Sequence, residues 1–160
     1  MESIERRIAY FISPHGFGHA ARSAAVMEAA CRADEKIRFE IFTQVPEWFF
    51  LQSLTHEFGY HSLQTDLGLV QTTPFVVDLR ETISRLDEML PFDVRLIESL
   101  SRQLIELRCE MVVCDIAPMG IIVAERARLP SILVENFTWD WIYAEYASDD
   151  SRIGRHSDYL

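Results

Sequence analysis

The chain has 160 residues, 49% of them hydrophobic and 25% charged, and a formal net charge of -10. That length supports one domain with a real core, that composition excludes a disordered chain, and the acidic balance excludes a nucleic-acid binder, which needs a basic face for phosphates. No apolar run reaches the roughly 18 residues of a membrane span and the opening "MESIERR" lacks the apolar core of a signal peptide, so a cytoplasmic protein with no membrane span is expected.

"RIAYFIS" (Arg7 to Ser13) is a β-branched and aromatic run ending in Pro, His and Gly, the pattern of a strand buried on both faces. The alanine-rich stretch from His19 to Ala33 has helical spacing, and "RFEIFT" (Arg38 to Thr43) reads as a second strand, which completes a βαβ unit. Pro46 stands at the expected first helical position before "EWFFLQSL", and a third strand is expected around Tyr60 to Leu63. The segment from Gln64 to Leu90 begins as a loop with Gly68 and Pro74 and turns helical after Phe75. Val94, Ile97, Leu100, Leu104 and Leu107 then recur at helical spacing, predicting a helix over Phe92 to Arg108. It leads into the strand "EMVVCD", a helix over Met119 to Arg128, and the strand "SILVEN". "FTWDWIYAEYA" reads as a helix capped by Thr138 or Asp140, with Trp139 and Trp141 expected in the core, and the following "SDDSRIGRHSDYL" shows no periodicity. Cys31, Cys109 and Cys114 lack CxxC spacing and are expected as buried free thiols, with neither a disulfide framework nor a zinc site.

Strands alternating with helices predict the α/β class: a three-layer α/β/α domain with a mostly parallel sheet and its functional loops at the carboxyl ends of the strands. Two such loops stand out, "SPHGFGHAAR" (Ser13 to Arg22) and the residues from Asp115 to Met119. The first supports three chemistries. Gly16-x-Gly18-x-x-Ala21 matches the alanine form of the dinucleotide fingerprint, but the second strand ends in Thr43 and Gln44 where a ribose-binding acid is required. An anion at the helix start is a more general version of the same idea. His15 and His19 are spaced for a metal on a helix, yet Gly16 and Gly18 argue against a helix between them and no ligand cluster accompanies them. Proton transfer needs a histidine and a partner that fixes its tautomer, and Asp115 is the natural partner if its strand lies near the first. Against proton transfer stands helix capping, with His19 capping the first helix and Asp115 the next.

"HGFGHAAR" after the first strand, "DLGLVQ" at Asp66 to Gln71, and "VVCDIAP" continuing through "LPSILVENFTWDWIYAEY" resemble the N-terminal domain of GT-B-fold glycosyltransferases. The likeness is strongest to the glycosyltransferase-like domain that precedes the sugar kinase in plant L-arabinokinase, and to bacterial predicted glycosyltransferases. It implies a Rossmann-like acceptor-side domain over residues 1–147, with 148–160 a polar tail or the start of a linker. A nucleotide-sugar donor would be held by a second, C-terminal domain supplied in cis or in trans, and the acceptor would offer a hydroxyl. In the related UDP-glycosyltransferases a histidine after the first strand is the base and an aspartate after a later strand orients it. His19 and Asp115 fall on those positions, with His15 the alternative base. The resemblance further implies substrate contacts for His15, Gly16, Gly18, Arg22, Asp66, Gln71, Asn136 and Asp140, and implies neither cofactor nor metal. A lone acceptor wall is expected to be inactive by itself, and its exposed docking face would allow a homo-oligomer. The reading from another class is a non-catalytic module that binds a sugar or nucleotide on the same fold.

Overall fold

In the computed structural model, which describes residues 5–160, the elements follow in chain order. They begin β1 (Arg6–Ile12), α1 (Phe17–Ala33), β2 (Ile37–Thr43), α2 (Glu47–Ser53), β3 (Phe58–Ser62), β4 (Gln71–Thr73) and β5 (Val76–Val77). They continue α3 (Leu79–Met89), α4 (Val94–Glu106), β6 (Cys109–Asp115), α5 (Pro118–Ala127), β7 (Ser131–Val134), α6 (Trp139–Glu145) and α7 (Gly154–Tyr159). Residues 1–4 of the expected domain lie outside the described residues. The described chain forms two compact units, 5–66 with Arg95–Val134, and Leu67–Val94 with Glu135–Leu160.

In the first unit all five strands are parallel, in the order β3-β2-β1-β6-β7. Ala9, Tyr10, Phe11 and Ile12 are completely buried, as a central strand covered on both faces requires. On one face Tyr10, Ile12 and Ile41 pack with Ala20, Met27 and Cys31 of α1 and Phe50 of α2. On the other, Phe11 stacks on Phe42 at 4.6 Å between ring centroids, and Phe42 on His61 at 4.4 Å. Gln103 of α4 reaches His61 from that side, and α5 lies close enough to β6 that a Cβ on Gly120 would meet Cys114 Sγ and Phe11 Cγ at 2.7 Å each. The unit is therefore the expected three-layer α/β/α, Rossmann-like arrangement. Each fully buried large side chain contributes roughly 1.5–3 kcal/mol through removal from water.

The strand order places a topological switch between β1 and β6: the chain winds outward from β1 to β3 on one side, then resumes at β6 and winds to β7 on the other. The helices leaving β1 and β6 consequently diverge, and open sheets of this kind form their ligand crevice where the winding reverses.

The second unit departs most from the sequence reading. The segment read as a loop contains a short antiparallel hairpin pairing Gln71 with Val77 and Thr73 with Val76, its tip at the 96% exposed Phe75. Asp78 then caps α3 by accepting from the Glu81 amide at 2.9 Å. Trp139 is buried and stacks on Tyr143, whose hydroxyl donates to the Gly68 carbonyl at 3.3 Å. The stretch that showed no periodicity carries α7, because Ile153 and His156 are buried and His156 Nε2 lies 3.0 Å from Asp87 Oδ1. Pro46 is the residue before α2, one position earlier than expected, with φ -56° and ψ 137°. Among the described residues no helix is long and apolar enough to cross a membrane.

Candidate active site

The loop after β1 is held from beneath. Ser13 Oγ donates to Asp66 Oδ1 at 3.1 Å, Thr65 Oγ1 donates to the Ile12 carbonyl at 3.0 Å, and the His15 amide donates to Ser13 Oγ at 3.3 Å. Asp66 is buried, so the structure places it under the turn as an acceptor for loop hydroxyls. Gly16 precedes α1 with φ 88°, a backbone conformation that favours glycine, and α1 starts at the next residue. Gly18 has a different reason: a Cβ there would meet nothing within 4 Å, so the backbone faces open space.

The first two turns of α1 then set His19, Arg22 and Ser23 on one face at helical spacing, and that face meets the end of β6. Ile12 and Asp115 are register partners, and the Ser13 amide donates to the Asp115 carbonyl at 3.1 Å, which brings the two strand ends together. Asp115 is wholly buried. Its Oδ1 accepts from His19 Nδ1 at 2.9 Å and from Arg22 Nη2 at 2.6 Å; its Oδ2 accepts from Arg22 Nε at 2.8 Å and from Ser23 Oγ at 3.1 Å. Burial would push the Asp115 pKa up, but hydrogen bonds from His19 and then Arg22, with their charges, outweigh it and leave it below the usual value. An ionised carboxylate only accepts, so His19 carries its proton on Nδ1 and presents a lone pair at Nε2.

The helix-capping alternative does not describe these residues: Gly16 precedes α1, Ala117 precedes α5, and the Asp115 carboxylate is turned toward α1. Burial, and next the charge of His19, lower the His15 pKa, which keeps His15 neutral near pH 7. The Tyr10 hydroxyl is buried close to Ser23 and Asp115, and burial above all pushes its pKa up to about 12. Directly after Asp115, Ile116 has φ 51°, a strained conformation for a β-branched residue, and its amide donates to the Val134 carbonyl at 3.3 Å.

His15, Gly16, Gly18, His19, Arg22, Asp66 and Asp115 therefore all belong to the first unit, while Gln71, Asn136 and Asp140 belong to the second. Gln71 is exposed on the hairpin and donates from Nε2 to the Pro74 carbonyl at 3.3 Å. Asp140 lies in the first turn of α6, where its carbonyl accepts from Ser157 Oγ at 2.8 Å. Asn136 lines a cavity of about 330 Å³ with Glu135, Phe137, Thr138 and Trp141. Trp141 was expected in the core; it is 57% exposed, because the helical turn that buries Trp139 and Tyr143 carries it to the opposite face. Ser23 was not foreseen, although its position four residues after His19 is the signal that would have found it. Among the described residues no group of three His, Cys, Asp or Glu side chains converges as metal ligands.

Residues 6–150 match the family model described as glycosyl transferase family 1. The chain belongs to that family. It is 29% identical over 140 residues to L-arabinokinase of Arabidopsis thaliana, a match covering 86% of this chain and 13% of that protein. Similar solved structures are a glycosyltransferase of Siraitia grosvenorii in complex with UDP (TM-score 0.53, 12% identity) and the glycotransferase of kitacinnamycin (TM-score 0.58, 17% identity). They cover 92% and 96% of this chain, which spans 32% and 38% of theirs. This member of glycosyl transferase family 1 thus has the fold of part of a GT-B glycosyltransferase, and spans about a third of such chains.

Proposed function

We propose that this chain is the acceptor-side wall of a glycosyltransferase that moves a sugar from a nucleotide-sugar donor to an acceptor hydroxyl. The observation that carries the reading is the 2.9 Å contact between His19 Nδ1 and Asp115 Oδ1 at the switch between β1 and β6. His19 Nε2 takes the proton from the acceptor hydroxyl as its oxygen bonds to the anomeric carbon and the nucleoside diphosphate leaves with the bonding pair. Asp115 keeps the productive tautomer and stabilises the imidazolium that forms. The open space over Gly18 leaves room for the acceptor close to the backbone, and the polar surface of Asn136 suits sugar hydroxyls. Gln71 and Asp140 are substrate contacts in the same reading, on the strength of their motifs. The donor is held by a second Rossmann-like domain in cis or in trans. Three buried free thiols fit a reducing compartment, so we place the reaction in the cytoplasm.

The test is His19→Ala in the chain joined to, or mixed with, a donor-binding domain. Transfer should fall about 100- to 10,000-fold while the circular dichroism spectrum stays unchanged. Undiminished transfer would remove His19 as the base, and sugar binding without any transfer by the unaltered pair would favour the non-catalytic module.

A further inference from the structure

A histidine oriented by a carboxylate ordinarily has that carboxylate's negative charge to itself. Here it does not. The Arg22 guanidinium lies side-on against Asp115, with Nε on one carboxylate oxygen at 2.8 Å and Nη2 on the other at 2.6 Å, and Asp115 Oδ1 is the same atom that accepts from His19. Arg22 Nη2 is 3.5 Å from His19 Nδ1 itself. The carboxylate is wholly buried and the His19 side chain is 12% exposed, so water screens these charges poorly. Among the described residues, His15, from the loop after β1, Tyr10, from β1, and Cys114, next to Asp115 on β6, are titratable groups close to the pair. Tyr10 is uncharged at neutral pH, its pKa being about 12, and His15 is held neutral by burial.

From this geometry we propose that Arg22 is a positioning residue for the His19–Asp115 pair: its fork locks the carboxylate in the plane that receives Nδ1, and its permanent charge sets the pH at which His19 takes up a second proton. The proposal rests on His19 being the proton acceptor. Three consequences follow from charge and shape. With Arg22 present, the Asp115–Arg22 pair is neutral and imidazolium formation adds a net charge beside a cation. With Arg22 made neutral, the negative charge of Asp115 is no longer offset by that cation and favours the imidazolium. A lysine at position 22 keeps the charge and loses the two-point hold, because an ammonium cannot match a carboxylate bidentately.

The experiment is an NMR titration of the imidazole nitrogens of His19 in the 160-residue chain, for the unaltered protein, Arg22→Gln and Arg22→Lys. Removing a cation this close should move the His19 midpoint up by about one pH unit in Arg22→Gln. Arg22→Lys should hold it within a few tenths of the unaltered value. A midpoint that stays put in folded Arg22→Gln overturns the proposal. Should Arg22→Gln not fold, the Arg22 Nε–H resonance of the unaltered chain decides: it should be resolved, slow to exchange and shifted with the same midpoint as His19, and an averaged resonance indifferent to that titration overturns it. These readouts report the charge balance whether or not sugar is transferred, so they can fail while the transferase reading stands, and the reverse. In the donor-completed enzyme, the acid limb of the Arg22→Gln rate profile should shift up by the same interval. Transfer near pH 6 would then be lost several-fold more than transfer near pH 8.5; a uniform loss at every pH would reduce Arg22 to a structural role and overturn the proposal.

Discussion

A carboxylate with no exposure stays ionised only where donors replace its water, and Asp115 has four of them: one from His19, two from Arg22 and one from Ser23. Its folded pKa lies below its ordinary value, so the stability it contributes is complete above the unfolded carboxylate range, near pH 4, and is lost as pH falls through the lower folded value. Asp115→Asn should therefore cost about 2–3 kcal/mol in urea denaturation at pH 7, since Arg22 and Ser23 lose a charged acceptor. That difference should begin to shrink as pH falls below about 4, where the unfolded carboxyl takes up its proton before the native one does. A difference as large at pH 3 as at pH 7 would show that Asp115 is held by shape and not by charge. How much of this the sequence discloses depends on distance along the chain. His19 and Asp115 could be paired in advance because both follow strand ends, and strand ends converge in a parallel sheet. The Arg22 fork and the Ser23 hydroxyl reach a carboxylate 93 and 92 positions away, and an arginine in the first turns of a helix looks the same in sequence whether it faces solvent or a strand end.

Helix α5 and the start of α1 both carry glycine for reasons that only their neighbours reveal. At Gly120 the space above the helix is taken by Cys114 Sγ and the Phe11 ring, at 2.7 Å from where a Cβ would sit. At Gly18 it is empty to 4 Å. Alanine gains up to about 1 kcal/mol over glycine in a helix, and overpacking a tight contact costs about 1–3 kcal/mol. Gly120→Ala should therefore lower the thermal midpoint, while Gly18→Ala should leave it level or raise it. A stabilised Gly120→Ala would mean that α5 shifts on the sheet and the contact is loose. Elements with a long, regular apolar period are legible from sequence: α4 and the strands β1, β2 and β6 lie within a residue or two of where their patterns put them. The β4–β5 hairpin is not, because strands of three and two residues are too short to show an alternation. Nor is α7, whose six residues are ordered by the burial of Ile153 and His156 and by Asp87, 69 positions from His156.

At the scale of the molecule, the strand order that creates the site also protects the chemistry inside the sheet. Strand β6 lies between β1 and β7 and carries Cys109 and Cys114, while Cys31 lies on the inner face of α1. Burial pushes both β6 thiols up to about 12 and raises the Cys31 thiol as well, so at pH 8 the thiolate that reacts with an alkylating agent is scarce in the native state. Access is equally restricted, since all three cysteines are buried. The two restraints are relieved together when the sheet opens, because an unfolded cysteine returns to its ordinary pKa near 8.5 and to solvent. Iodoacetamide at pH 8 should accordingly leave the native chain unlabelled over the time in which a model thiol reacts fully. Labelling of Cys114 should rise with urea along the same slope as the loss of sheet signal, reporting the population of open chains. Labelling of Cys114 in the absence of denaturant, at the rate of a model peptide, would mean that β6 separates from β1 or β7 well below the global transition. The strand end that holds Asp115 against His19 would then be mobile too, since Cys114 and Asp115 are consecutive residues of the same strand and pair with the same neighbours.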